Sequence, residues 1–170
     1  GCQDVARTVG PVFNDSAIAK EVNFSYVPLP DSVSDSRNGD LCVYGDQVEA
    51  CALDVTGCLN GCSGDALTKL SSFVTCFEKS WVEMMCDGAK TKASTCAESS
   101  GIDSDKLTQC LSTDSKVKQL EEELSNMDPG NLRVYPTVKI GTSTKNQGDS
   151  SQDPTDLKKA LCSQGVTAAC

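Results

Sequence analysis

The sequence predicts an α/β chain that carries a helical, disulfide-rich insertion. Three observations carry this reading. Helix-period segments lie at both ends, strand-like runs follow the first of them and precede the last, and eight of the 11 cysteines fall between Cys42 and Cys110 in a stretch that reads as helical. A length of 170 residues accommodates one domain, or one domain with an insertion, and not two ordinary domains.

The elements follow in order. From Asp4 to Lys20 the apolar positions Val5, Val9, Val12, Phe13 and Ile18 recur at near-helical spacing, with Pro11 expected to kink or restart the helix. Cys2 therefore stands just ahead of a helix. Val22 to Leu29, holding Phe24, Tyr26 and Val27 and closed by Pro28 and Pro30, reads as a short buried strand. Asp31 to Asp40 has loop composition. Asp65 is placed to cap a helix whose Leu67, Leu70, Phe73, Val74 and Phe77 form one apolar stripe. Asp103 or Ser104 caps a short helix through Leu107 to Leu111. Val117, Leu120, Leu124 and Met127 line one side of a charged helix that Asp128-Pro129-Gly130 stops, with Glu121, Glu122 and Glu123 on its solvated face. Arg133 to Ile140 is the best strand in the chain despite Pro136, which calls for an edge, a bulge or a cis bond. Asp153 and Pro154 open a last helix with Leu157, Ala160 and Leu161. The organisation expected is residues 1–41 and 128–170 as two parts of one α/β domain, with 42–127 as the cysteine-rich helical insertion and the helix that follows it.

Composition removes several function classes. Fifteen basic against 24 acidic residues give a formal charge of −9, which disfavours binding to phosphate backbones, so no nucleic-acid partner is expected. The absence of histidine excludes Ser/His/Asp and Cys/His catalysis and any His-ligated metal or haem within the chain. No apolar run reaches the ~18 residues of a membrane span. Neither a metal nor another cofactor is expected. Trp81, Met84 and Met85 read as core of the insertion.

The 11 cysteines are spread from Cys2 to Cys170 without the tight doublets of zinc ribbons, so they read as a disulfide framework in an oxidising, secretory compartment. Cys42, Cys51, Cys58, Cys62, Cys76, Cys86, Cys96, Cys110, Cys162 and Cys170 are the ten expected in five structural bridges, with the pairing open. Two sequons, at Asn14 and Asn23, are candidate N-glycan acceptors in that compartment.

Chemistry points to Cys2 and Pro136. A thiol at a helix start is held as thiolate by the dipole and unpaired N–H groups, and a cis-proline presents free backbone to an extended peptide beside the sulfur. Together they make the working arrangement of thioredoxin-like oxidoreductases, with Cys2, Tyr135 and Pro136 as catalytic candidates.

The segments Asn23-Phe24-Ser25-Tyr26-Val27-Pro28, Leu41-Cys42-Val43-Tyr44-Gly45, Val48-Glu49-Ala50-Cys51-Ala52-Leu53-Asp54 and Phe73-Val74-Thr75-Cys76-Phe77-Glu78-Lys79 occur in an order that identifies a family. With Cys96, Cys110, Val134-Tyr135-Pro136-Thr137-Val138, Cys162 and Cys170, the chain resembles gamma-interferon-inducible lysosomal thiol reductases over nearly its whole length. The resemblance implies a thioredoxin-like fold with a helical insertion, its first strand absent from this chain, and an enzyme that reduces protein disulfides in endosomes or lysosomes. It matches Cys2 to the second cysteine of a C-x-x-C motif whose first would lie three residues earlier, and an upstream segment or second chain would supply the missing strand. Protein or peptide disulfides are then the substrates: a first thiolate attacks and Cys2 resolves the mixed disulfide.

The family's C-Q-H-G-x2-E-C-x2-N-x4-C signature is compressed here to Cys42-Val43-Tyr44-Gly45-Asp46-Gln47-Val48-Glu49-Ala50-Cys51, without the histidine, one cysteine and the asparagine. Cys58, Cys62 and Cys86 are additional. These departures mark a divergent branch and support a rival reading, a non-catalytic secreted disulfide-rich glycoprotein on the same scaffold. A helical lipid carrier of the saposin or plant transfer-protein type is disfavoured, because the plant carriers need adjacent Cys-Cys and C-x-C pairs that are absent here and neither type needs the expected flanking strands.

Overall fold

The structure is a computed structural model and describes residues 9–28, 43–79, 87–127 and 154–170. Regular secondary structure among the described residues is helical: α1 (residues 9–13), α2 (Ser16–Glu21), α3 (Val43–Thr56), α4 (Gly64–Glu78), α5 (Asp87–Ser100), α6 (Ser104–Leu111), α7 (Asp114–Met127) and α8 (Pro154–Ser163), closed by a 3-10 turn at Thr167–Ala169.

This corrects the expected α/β, thioredoxin-like class to a disulfide-rich helical protein. The segment read as a strand at Val22 to Leu29 is extended in its described part, but its one β contact is an isolated antiparallel bridge between Phe24 and Cys62. The reason lies in what its side chains touch. Phe24 packs into one core and against Phe13, with ring centroids 4.7 Å apart, whereas Tyr26 and Val27 pack into another. Side-chain burial on helices holds it, and among the described residues no neighbouring strand offers a ladder. The stronger strand candidate, Arg133 to Ile140, lies outside the described residues.

The larger core is built around α3. Val48, Ala50, Cys51, Ala52 and Leu53 are all buried, so this helix is apolar on nearly every side, as a central helix must be. It packs against α4, α5, α6 and α7. α4 brings Leu70, Phe73, Val74 and Phe77 from the stripe read in the sequence, and α7 brings Val117, Leu120 and Leu124. α5 contributes Ala89, Ala93, Cys96 and Ala97, small side chains at i, i+4, i+7 and i+8 that admit a close neighbour. A second core joins the two ends of the described chain: Val9, Val12, Phe13, Ile18 and Ala19 pack with Leu157 and Leu161 of α8 and with Leu67 of α4.

Local signals place the helix ends. The break after α1 is set by Asp15 rather than Pro11, because its carboxylate accepts from the Ala17 N–H at 3.0 Å and caps α2. Asp103 caps α6 in the same way, accepting from the Lys106 N–H at 3.0 Å. At α4 the N-cap is Ser63, and Asp65 sits in the first turn, paired with Lys69 at 2.7 Å. α3 ends in a Schellman motif: Gly57 at φ +73° lets the Cys58 N–H reach the Leu53 carbonyl at 2.8 Å and its own N–H reach that of Asp54 at 3.1 Å.

Candidate functional site

Four disulfides staple this fold. Cys51 joins α3 to Cys110 of α6, Cys76 joins α4 to Cys96 of α5, Cys58 is bridged to Cys62 across the turn between α3 and α4, and Cys162 of α8 is bridged to Cys170. Several disulfides are the mark of an oxidising secretory or extracellular environment. All eight described cysteines are paired, whereas Cys2, Cys42 and Cys86 lie outside the described residues. Cys58 and Cys62, which could have held a metal between them, are bonded to each other. Among the described residues no group of acidic or cysteine side chains could hold a metal ion.

The other catalytic candidates, Tyr135 and Pro136, also lie outside the described residues. The two sequon asparagines are exposed. Asn14 accepts from the Ser72 hydroxyl at 2.9 Å, and Asn23 stands beside Gly61 in the extended segment. Among the described residues no helix is long and apolar enough to cross a membrane. A surface cavity of about 320 Å³ opens where α3 and α5 end and α4 and α6 begin, lined by the apolar Val55, Ala66 and Ile102 together with the charged Asp65, Lys69 and Asp103.

The unusual chemistry of the described residues lies inside the larger core. Glu49 on α3 and Glu78 on α4 are each only 3% exposed, and their carboxyl groups are hydrogen-bonded to each other. The Tyr26 hydroxyl donates to Glu49 Oε2 at 2.8 Å from the extended segment. Among the described residues, the second oxygens, Glu49 Oε1 and Glu78 Oε2, have no hydrogen-bond partner, and neither do the hydroxyls of Ser71 and Thr75. Ser71, Thr75 and Glu78 stand at i, i+4 and i+7, so they form a polar seam along one face of α4.

Burial raises the Glu49 carboxyl well above the usual range, Glu78 adds repulsion, and Asp46 adds more, against the lowering effect of the Tyr26 hydrogen bond. Burial raises Glu78 as well, with the hydrogen bond from Glu49 and the positive charge of the N-terminus opposing it. The pair therefore holds a shared proton at pH values where ordinary carboxyls are ionised. Such a dyad could do acid–base work if it lined a cleft, but both groups are sealed from solvent.

Sequence reasoning passed over Glu49 and Glu78. The signal was present: Glu49 interrupts the apolar run Val48 to Leu53, and Glu78 lies at i+4 from Val74, on the edge of the α4 stripe. No protein-family model, curated protein or solved structure matches the chain.

Proposed function

We propose that the chain is a thiol–disulfide oxidoreductase similar to lysosomal thiol reductases, acting on protein or peptide disulfides, with Cys2 as the exchanging sulfur. One observation supports this above others. The V-E-A-C-A-L-D and F-V-T-C-F-E-K segments that carry the resemblance converge on one core, where Glu49 meets Glu78, Cys51 meets Cys110, and Cys76 meets Cys96. The odd cysteine count adds to it. With eight of the 11 in described bridges, three are left, and an internal bridge can take only two of those. At least one thiol is left for exchange or for a partner. The reading rests on a sulfur and not on a sheet, since activity belongs to sites rather than to folds.

In the reaction, an attacking thiolate opens the substrate disulfide, forms a mixed disulfide and expels one substrate sulfur, which takes a proton. Cys2 then attacks the enzyme-side sulfur of that mixed disulfide, releases the second substrate thiol and closes an enzyme disulfide. A thiol reductant in solution reopens it with two electrons. The attacking sulfur, by resemblance, belongs three residues ahead of Cys2. Endosomes and lysosomes are the proposed site of action.

A second reading is favoured by the pairing of every described cysteine and the lack of a described free thiol: a non-catalytic, secreted, glycosylated scaffold. One experiment separates the two. Protein made through a secretory host is alkylated without reduction and mapped by mass spectrometry, then incubated with a peptide disulfide and quenched in acid. We expect a mixed disulfide on the sulfur ahead of Cys2 that is short-lived in wild type and accumulates in Cys2→Ser, where no thiol resolves it. Full occupancy of Cys2 in a stable bridge, with Cys2→Ser and wild type equally inert, overturns the reductase and leaves the scaffold.

A further inference from the structure

We propose that the Cys162–Cys170 disulfide is a thiol-exchange site for small-molecule thiols of the glutathione class, with Cys170 as the sulfur attacked. Exchange at a disulfide needs one sulfur that a thiolate can reach along the S–S axis and a second that can leave into water. Three of the four described bridges lack the second. Cys51 and Cys110 are 0% and 7% exposed, so that bridge is sealed at both ends. Cys58 and Cys96 are 0% exposed, so attack on half-buried Cys62 or Cys76 would expel a thiolate into the larger core. A charge there is costly, and apolar surroundings hold a thiol protonated. In the fourth bridge Cys170 is exposed and Cys162 is half-buried, so neither sulfur-bearing residue is sealed.

The backbone around this bridge keeps the two sulfurs together when the bond opens. After α8, Gly165 at φ +91° turns the chain back: its N–H reaches the Cys162 carbonyl at 3.0 Å, and the Val166 N–H reaches that of Leu161 at 3.1 Å. The 3-10 turn follows, with the Ala169 N–H on the Val166 carbonyl and the Cys170 N–H on that of Thr167. This turn is docked by more than the sulfurs. Val166, Ala168 and Ala169 pack on the second core, and Glu21 of α2 accepts from the Thr167 hydroxyl at 2.8 Å and from the Ala168 N–H at 3.3 Å. Cys162 and Cys170, eight residues apart, are thus brought to a Cα separation of 5.0 Å by contacts that exchange leaves in place. A pair of thiols held in this way recloses readily, because the second sulfur is already positioned.

In the step, the small thiolate bonds to Cys170 Sγ, the bond between Cys170 and Cys162 breaks, and its electron pair leaves on Cys162 Sγ, which takes a proton from water. The products are a mixed disulfide on Cys170 and a Cys162 thiol. Reversal expels the small thiol and restores the bridge. A second small thiolate, attacking its own kind in the mixed disulfide, instead releases a small-molecule disulfide and leaves the protein with two thiols. Cys162 stands in the last turn of α8, whose carbonyl end disfavours a thiolate, and Lys158 at i−4 puts an ammonium on the same face to offset it. The site uses described sulfurs alone and does not rest on the reading of Cys2.

Reduced glutathione acting on the full, folded wild-type chain tests this. Free thiols are first blocked with iodoacetamide, which keeps Cys2 out of the readout. The protein is then incubated with glutathione, quenched in acid at intervals and mapped by mass spectrometry. Cys162 and Cys170 should open at least about tenfold faster than any other described pair, with the trapped glutathione adduct on Cys170. Oxidised glutathione added afterwards should restore the bridge. Earlier opening of Cys51–Cys110, Cys58–Cys62 or Cys76–Cys96, or opening of all four together, overturns the site. An adduct on Cys162 and not on Cys170 overturns it as well.

Discussion

Cys51 of α3 and Cys110 of α6, 59 residues apart in sequence, are joined at a Cα separation of 5.9 Å within the larger core. Loop-closure entropy makes this the most valuable bridge of the four, worth about 4 kcal/mol, against about 2 kcal/mol for the four-residue separation of Cys58 and Cys62. Replacing Cys51 and Cys110 together by alanine should cost about twice what replacing Cys58 and Cys62 costs. Guanidinium unfolding of the two double variants, monitored by circular dichroism, measures the ratio.

Gly10 of α1 faces Thr75 of α4 so closely that a β-carbon at Gly10 would overlap the threonine hydroxyl and lie 3.2 Å from both Thr75 Cβ and Cγ2. Rotating the Thr75 side chain leaves its Cβ in place, so the 3.2 Å contact to that atom persists. Gly10→Ala should therefore push α1 off α4 and cost about 1–3 kcal/mol, the usual penalty for overpacking. Thr75→Ala, which removes the hydroxyl and the methyl, should restore part of it. A double-mutant cycle in urea should give a coupling well above the ~0.5 kcal/mol expected of independent sites.

Among the described residues, Tyr26 is the hydrogen-bond donor to the Glu49 carboxyl from outside the glutamate pair. Tyr26→Phe keeps the ring and removes the hydroxyl, so the loss is that of a hydrogen bond to a buried, partly charged acceptor, about 1.5–3 kcal/mol. The loss should be smaller in acid, where Glu49 is neutral, and larger at neutral pH. Chemical denaturation at pH 4.5 and 7.5 checks both the size and its pH dependence.

Where one local rule decides, the sequence was readable. The α4 stripe from Leu67 to Phe77 is buried as its spacing requires, α7 buries Val117, Leu120 and Leu124, and Asp103 caps α6. Where two rules compete, the reading failed. Phe24, Tyr26 and Val27 have strand composition, yet a strand needs a partner, and these side chains found helices instead. Pro11 looked like a helix breaker, whereas the turn comes after it, where Asp15 offers an N-cap. Glu49 and Glu78 were invisible for another reason. A glutamate next to an apolar run reads as its solvated edge, and only the packing of α3 on α4 turns both inward.

The carboxyls predict how global stability depends on pH. Glu49 and Glu78 are raised above their ordinary value of 4.5, so their contribution is full below that value and is lost as pH rises through the raised range. Glu21, held down by the Thr167 hydroxyl, and Asp103, held down by the Lys106 N–H, work in the opposite sense: their contributions are present at neutral pH and are lost as pH falls through their lowered values. Those two are fully exposed and screened by solvent, while the glutamate pair is sealed in the core, so the pair should dominate. Thermal unfolding with disulfides intact should therefore give a higher Tm near pH 5 than at pH 7.5. Glu49→Gln should remove most of that difference by raising the Tm at neutral pH, and Asp103→Asn, which keeps a capping oxygen, should flatten only the acid limb.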